Sequence, residues 1–155
     1  MSEHYVYEGE YYVGMKHGWG RIDYNDGSSY IGNFKYDKCY GKGQFVDARG
    51  TIYSGNYFDN DDARGTITYW DKRFVGWWWD NIPTVGEMVY DNGEWYIGQL
   101  NKDGVWNGYG KLIQKSCTIT GYWENDQYIG SVSINWKNSG TYDLDLIDDY
   151  VCVNY

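Results

Sequence analysis

Six short triplets constrain everything else in this 155-residue chain: "YEG" at Tyr7, "YIG" at Tyr30, "YSG" at Tyr53, "FVG" at Phe74, "YIG" at Tyr96 and "ITG" at Ile119, spaced 21 to 23 residues apart. A fixed period of this size marks a repeat architecture, in which each unit is one supersecondary element that buries its apolar surface on its neighbours. Tyr142 falls one further period on and opens a degenerate seventh stretch, "YDLDL". We therefore expect one domain of six units starting near residues 7, 30, 53, 74, 96 and 119, with a capping unit over 142–155.

Aligning the units turns the repeat into a strand pattern. The first column holds Tyr7, Tyr30, Tyr53, Phe74, Tyr96 and Ile119; the third is glycine in all six units; the fifth holds Tyr11, Phe34, Tyr57, Trp78, Leu100 and Trp123. Positions one, three and five share a face when the side-chain period is two. A second signature follows inside each unit, as in "GWG" ending at Gly20 and "GKG" ending at Gly43, with its counterparts ending at Gly65, Gly86, Gly110 and Gly130. Two residues beyond its last glycine stand Ile22, Phe45, Ile67, Met88, Leu112 and Val132. That is a second half-buried strand, so each unit reads as a β-hairpin, with turns expected at stretches such as "GMKHG" and "DNDDARG". Tight links between hairpins are expected at "NDGSS", "DARGT" and "DNGEW", where Gly27, Gly50 and Gly93 take positive φ at low cost.

Composition supports an all-β reading. Nine Trp, nineteen Tyr, four Phe and twenty-one Gly stand beside a single Pro, a mixture that serves helices poorly and pleated surfaces well. A strand glycine leaves a hollow in which a neighbouring ring can lie. Stacked hairpins would then form one elongated, twisted, single-layer antiparallel sheet of about thirteen strands, spanning roughly 60 Å.

These residues resemble the MORN (membrane occupation and recognition nexus) repeat family, whose units carry Y-x-G followed by G-x-x-x-G-x-G. The first unit, "YEGEYYVGMKHGWG", matches through Tyr7, Gly9, Gly14, Lys16, His17, Gly18 and Gly20, and the resemblance runs from about Tyr5 to Gly140. The third, fourth and sixth units depart through Ala63, Thr84 and Tyr128 in place of a turn glycine. The resemblance implies a scaffold, adaptor or dimerisation module whose aromatic groove holds a partner segment; some members are proposed to bind phosphoinositides. The family's motif contains no catalytic group, and enzymatic members carry a separate catalytic domain.

The remaining chemistry points the same way. His4 lies near a chain end and His17 in the first hairpin, while most carboxylates sit in turn-like stretches such as "FDNDD", so no catalytic residue is expected. Cys39, Cys117 and Cys152 are odd in number and far apart, which supports neither a disulfide framework nor a metal site. No cofactor is expected. A net charge of -9 opposes nucleic acid and disfavours anionic membrane lipid. With no signal peptide or transmembrane stretch visible, a cytoplasmic location is expected.

Two candidate sites follow. Positions four and six of each unit face away from the glycines and are mostly polar, except around units three and four; Phe58, Trp77, Trp79 and, by the same alternation, Trp70 form a candidate interaction face, with Val89 and Ile113 as neighbours. The candidate groove is built from Tyr7, Tyr11, Tyr30, Phe34, Tyr53, Tyr57, Phe74, Trp78, Tyr96 and Trp123. The run "WWW" is thus divided, Trp78 to the groove or core over the glycines and Trp77 and Trp79 to the opposite face. The partner is expected to be a protein, either a second copy or a heterologous segment. The alternative readings are a membrane-associated module and a small-ligand-binding aromatic repeat. The acidic stretch after Tyr142 is expected to cap the last edge, with Leu144 and Leu146 inward.

Overall fold

A computed structural model describes residues 4–60, 62–137 and 140–144, the last five as backbone. Thirteen strands follow one another in a single antiparallel sheet, in unbroken chain order. They are β1 (Tyr5–Tyr12), β2 (Met15–Tyr24), β3 (Ser29–Lys35), β4 (Lys38–Val46), β5 (Ile52–Tyr57), β6 (Asp62–Thr68), β7 (Lys72–Trp79), β8 (Ile82–Tyr90), β9 (Trp95–Leu100), β10 (Trp106–Ile113), β11 (Cys117–Glu124), β12 (Gln127–Trp136) and β13 (Gly140–Leu144). Each sequence unit is one hairpin, as the period requires. The expected cap over 142–155 falls outside the described residues beyond Leu144.

The third column and the second signature together make a glycine ladder. Gly9 pairs with Gly20, and the pairing runs on through Gly32, Gly43, Gly55, Gly65, Gly76, Gly86, Gly98 and Gly110 to Gly121. It ends where Gly121 meets Val132, which in turn meets Leu144. The ladder exists because rings lie on it. A Cβ on Gly20 would stand 2.6 Å from the Tyr7 ring; Tyr30 covers Gly32 and Gly43, Phe74 covers Gly76 and Gly86, and Tyr96 covers Gly98 and Gly110. Each tyrosine is pinned along its own strand by its hydroxyl, which donates to the carbonyl three residues on: Tyr7 to Glu10 at 2.8 Å, Tyr30 to Asn33 at 3.1 Å, Tyr96 to Gln99 at 3.0 Å.

Columns one and five interleave into one strip. Tyr30 meets Phe34 of its own unit at 5.1 Å and Tyr57 of the next at 5.3 Å, both edge-on; Tyr7 does the same with Tyr11 and Phe34. Edge-to-face pairs of this kind add about 0.5–1.5 kcal/mol beyond the area they bury. The strip is the hydrophobic core, and it sits on one face of the sheet.

The turns differ from expectation in an instructive way. Four of the six hairpin turns are two-residue loops, at Val13-Gly14, Tyr36-Asp37, Asp80-Asn81 and Asn125-Asp126, every one of these residues at positive φ, the backbone that matches strand twist; the β5–β6 and β9–β10 links are longer. "MKHG" of the expected turn is therefore the start of β2, and the "DARG" of the other belongs to β6. The G-x-G signature marks a bulge instead. Gly18, Gly41, Gly108 and Gly130 have φ between 66° and 94°, and each sits at a register shift in its hairpin. Unit three, with Ala63, has no shift, and unit four, with Thr84, has a smaller one. Unit six keeps its bulge glycine as Gly130, so the sequence register there is corrected: Val132 takes the ladder position and Ile134 pairs with Ile119 as Ile22 pairs with Tyr7. Tyr128 is not a turn residue.

Successive hairpins are clasped through their turns. Lys16 donates its backbone N–H to Asp37 Oδ1 at 2.8 Å and accepts from Asp37 N–H at 3.0 Å; Cys39 N–H donates to Asn60 and Trp106 N–H to Asp126. The backbone bond from Lys16 holds the Asp37 carboxyl below the usual range. On the opposite side, Gly27, Gly50 and Gly93 do take positive φ, as the sequence required.

Candidate functional site: an exposed aromatic face

The face opposite the core should be polar in a single-layer sheet, and on the first four strands Glu8, Glu10, Arg21, Asn33, Lys35, Lys42 and Gln44 make it so around single exposed apolar residues such as Tyr12, Trp19 and Ile31. At β5 to β7 it changes. Phe58 stacks on Trp77 with centroids 5.5 Å apart and planes inclined by 20°, and the Arg64 guanidinium lies 5.5 Å from the Trp77 ring. Trp77, Phe58 and Trp79 are all exposed. Strand alternation places Trp77 and Trp79 here and turns Trp78 into the core, where it is 1 % exposed, so the division of the three tryptophans holds.

Trp70 does not join them. It lies in the bend between β6 and β7, 93 % exposed, beyond the pair Thr68 and Arg73, whereas Trp79 pairs with Asp62 at the other end of the same two strands. That separates them by the length of β7, roughly 20 Å. Val89 pairs with Arg73 and with Trp95, and Ile113 pairs with Trp95.

The sequence reading missed half of this face. Val85 pairs with Trp77, and Val75, Trp95 and Ile97 are exposed on the same side. Val75 and Ile97 occupy position two of their units, on the same face as positions four and six. Extending the period-two count one step upstream would have found them. Further along, Tyr109 and Tyr122 meet edge-on at 5.3 Å.

The groove candidates are corrected. Tyr30, Phe34, Tyr53, Tyr57, Phe74, Trp78, Tyr96 and Trp123 are buried, because each ring is covered by the next; they form the core rather than an exposed aromatic surface. Burial pushes the hydroxyls of Tyr90 and Tyr96 up to about 12 and raises those of Tyr30, Tyr57 and Tyr69. Only Tyr7 and Tyr11, on β1, stay open. A hollow of about 670 Å³ lies over the first units, lined by Tyr30, Phe34 and Tyr57 together with Lys16, Asp37, Asn60 and Asn81.

His4 is exposed, and His17 packs between Tyr12 and Tyr36 with its Nδ1 buried. Among the described residues no group of His, Cys, Asp and Glu is placed to hold a metal ion, and no helix is long and apolar enough to cross a membrane. Neither family models nor curated proteins give a match to this chain.

Proposed function

We propose that this protein is a non-enzymatic repeat scaffold of the MORN kind that binds another protein through the exposed face centred on Trp77. One observation carries the reading: Phe58, Trp77 and Arg64 stack in the open, continuous with Val85 and Trp79, on a sheet face whose counterparts in the first two units are Glu10, Tyr12, Asn33 and Lys35. Tryptophan and arginine at the centre of an apolar patch are the residue types that dominate protein contacts, because they bury large area with little loss of side-chain freedom. A second copy and a heterologous protein both satisfy that chemistry.

The test compares unmodified protein with Trp77→Ser/Trp79→Ser. Sedimentation over a range of concentrations reads self-association, and cross-linking in cells reads other partners. The double variant should lose the assembly or the partner while its melting temperature changes little; Trp19→Ser, exposed on the same face far from the cluster, should keep both. An identical assembly state and identical cross-links in all three proteins would overturn the proposal.

A further inference from the structure

The apolar part of the open face has a carboxylate at its centre. Glu87 on β8 pairs with Val75 on β7 and with Ile97 on β9, and strand alternation puts Val85 and Val89 on either side of it along its own strand. Val75, Val85 and Ile97 are 38 %, 44 % and 37 % exposed, and Glu87 is exposed among them. Among the described residues it has no ion pair.

Charges of the opposite sign stand at the margin. Arg64 pairs with Trp77, Arg73 with Val89, and Lys111 with Ile97 in the row of Glu87 itself. All three cations are exposed and none is in an ion pair among the described residues; Arg64 lies over the Trp77 ring, which leaves its charge in place. Arg73 is diagonal to Glu87 across the β7–β8 pair, yet no ion pair joins them. Asp62, opposite Trp79, belongs to the hairpin-turn end beyond the patch. Elsewhere the chain does pair its cations: Lys16 with Asp37, Arg21 with Asp23 and Lys38 with Asp59. A protein of net charge -9 thus leaves three cations unpaired around one apolar patch with a lone carboxylate inside it.

In the free protein water solvates all four charges. A partner that covers Val75, Val85 and Ile97 strips the water from Glu87, and a buried carboxylate without a counter-charge is heavily penalised. The marginal cations stay wet at the rim, where they steer and select a partner of opposite sign. We infer, resting on the Trp77 face as the interaction site, that its occupant is a different protein whose contact surface carries the inverse pattern: an apolar surface with one lysine or arginine at its centre for Glu87, and acidic residues at its edge for Arg64, Arg73 and Lys111. A second copy fits poorly. Two of these faces together set three cations against three, with only the two Glu87 carboxylates to offset them. A nucleic-acid strand would suit the cations but would lay phosphates over Glu87.

The test selects a displayed library of random peptides on the unmodified protein, with Trp77→Ser/Trp79→Ser as the counter-selection. Peptides that depend on Trp77 should be rich in Asp and Glu and should carry a Lys or Arg among apolar residues. For one such peptide, followed by fluorescence anisotropy, Glu87→Lys should weaken binding at least about tenfold, and Arg64→Glu/Lys111→Glu by a similar factor. Both variants should keep the parent melting temperature, because the altered side chains are exposed. Changing the peptide's central Lys or Arg to Glu should restore binding to the Glu87→Lys protein. Trp77-dependent peptides without acidic residues, or equal binding to Glu87→Lys and parent, would overturn the inference and leave the Trp77 face standing as an interaction site; no Trp77-dependent peptide at all would defeat both. A dimer of the unmodified protein that Trp77→Ser/Trp79→Ser dissolves, or displacement of the peptide by a single-stranded oligonucleotide, would also overturn it, by seating a different occupant.

Discussion

The Trp78 indole lies over the backbone of Gly55, two strands away: a Cβ on Gly55 would stand 2.8 Å from Cη2 of Trp78. In the other tyrosine- and phenylalanine-led units the ring over the ladder comes from the unit's own first column; here it comes from the fifth column of the next. Unit three lacks the bulge, so its ladder is covered from β7. Its own Tyr53 is 6.4 Å from Trp78, ring to ring, and accepts a hydrogen bond at its carbonyl from the Tyr57 hydroxyl.

Gly55→Val should therefore lower stability by about 2–3 kcal/mol in denaturant unfolding, since both Trp78 and the Arg64 carbonyl stand in the way. Gly50→Ala provides the contrast. Gly50 has φ +86° and nothing within 4 Å of an added Cβ, so only backbone strain of about 1 kcal/mol is expected.

Adjacent tryptophans should respond in opposite ways to one substitution. Trp78→Ala opens a cavity beneath Tyr53 and Tyr57 and should cost about 3–5 kcal/mol. Trp79→Ala removes a ring that is 61 % exposed and should shift stability by only about 0.5 kcal/mol. Equilibrium unfolding of the two variants side by side decides it.

That contrast was legible in the sequence, because a period of two assigns faces without any coordinates. Trp78 shares its face with Gly76, and Trp77 and Trp79 must point away. What alternation cannot show is whether a ring on the apolar face is covered. Tyr30, Phe34 and Tyr57, expected as a groove, are buried because rings from successive units interlock, a relation across 23 residues that no single unit contains. Trp70 failed for a different reason: alternation stops where a strand ends, and Trp70 sits in the bend. The bulges were hidden too. "GKG" reads as a turn, yet Gly41 lies within a strand.

The bulges are held by side chains on the open face. Gln99 Oε1 accepts from the Tyr109 N–H at 3.1 Å, and Glu10 Oε1 accepts from Trp19 N–H at 3.1 Å. Gln99→Ala should leave the Tyr109 amide to solvent, speed its hydrogen exchange, and cost about 1 kcal/mol. Unchanged exchange at Tyr109 would show that the bulge needs no cap.

Alkaline pH should unfold the sheet cooperatively. Tyr90 and Tyr96 are pushed from 10.0 up to about 12, in both cases chiefly by desolvation, so the folded protein keeps their protons where the unfolded chain loses them. With fewer protons bound in the unfolded state, stability falls as pH rises. The contribution is complete below pH 10, the unfolded value, and is lost between pH 10 and about 12. Part of the tyrosinate absorbance should accordingly be withheld until the sheet opens, and then appear together with the loss of near-ultraviolet circular dichroism. Tyr96→Phe removes one such group and should move the alkaline midpoint upward, provided the ring keeps its stack on Trp106 at 4.7 Å. If tyrosinate forms smoothly with the circular dichroism intact, the buried hydroxyls do not couple to folding.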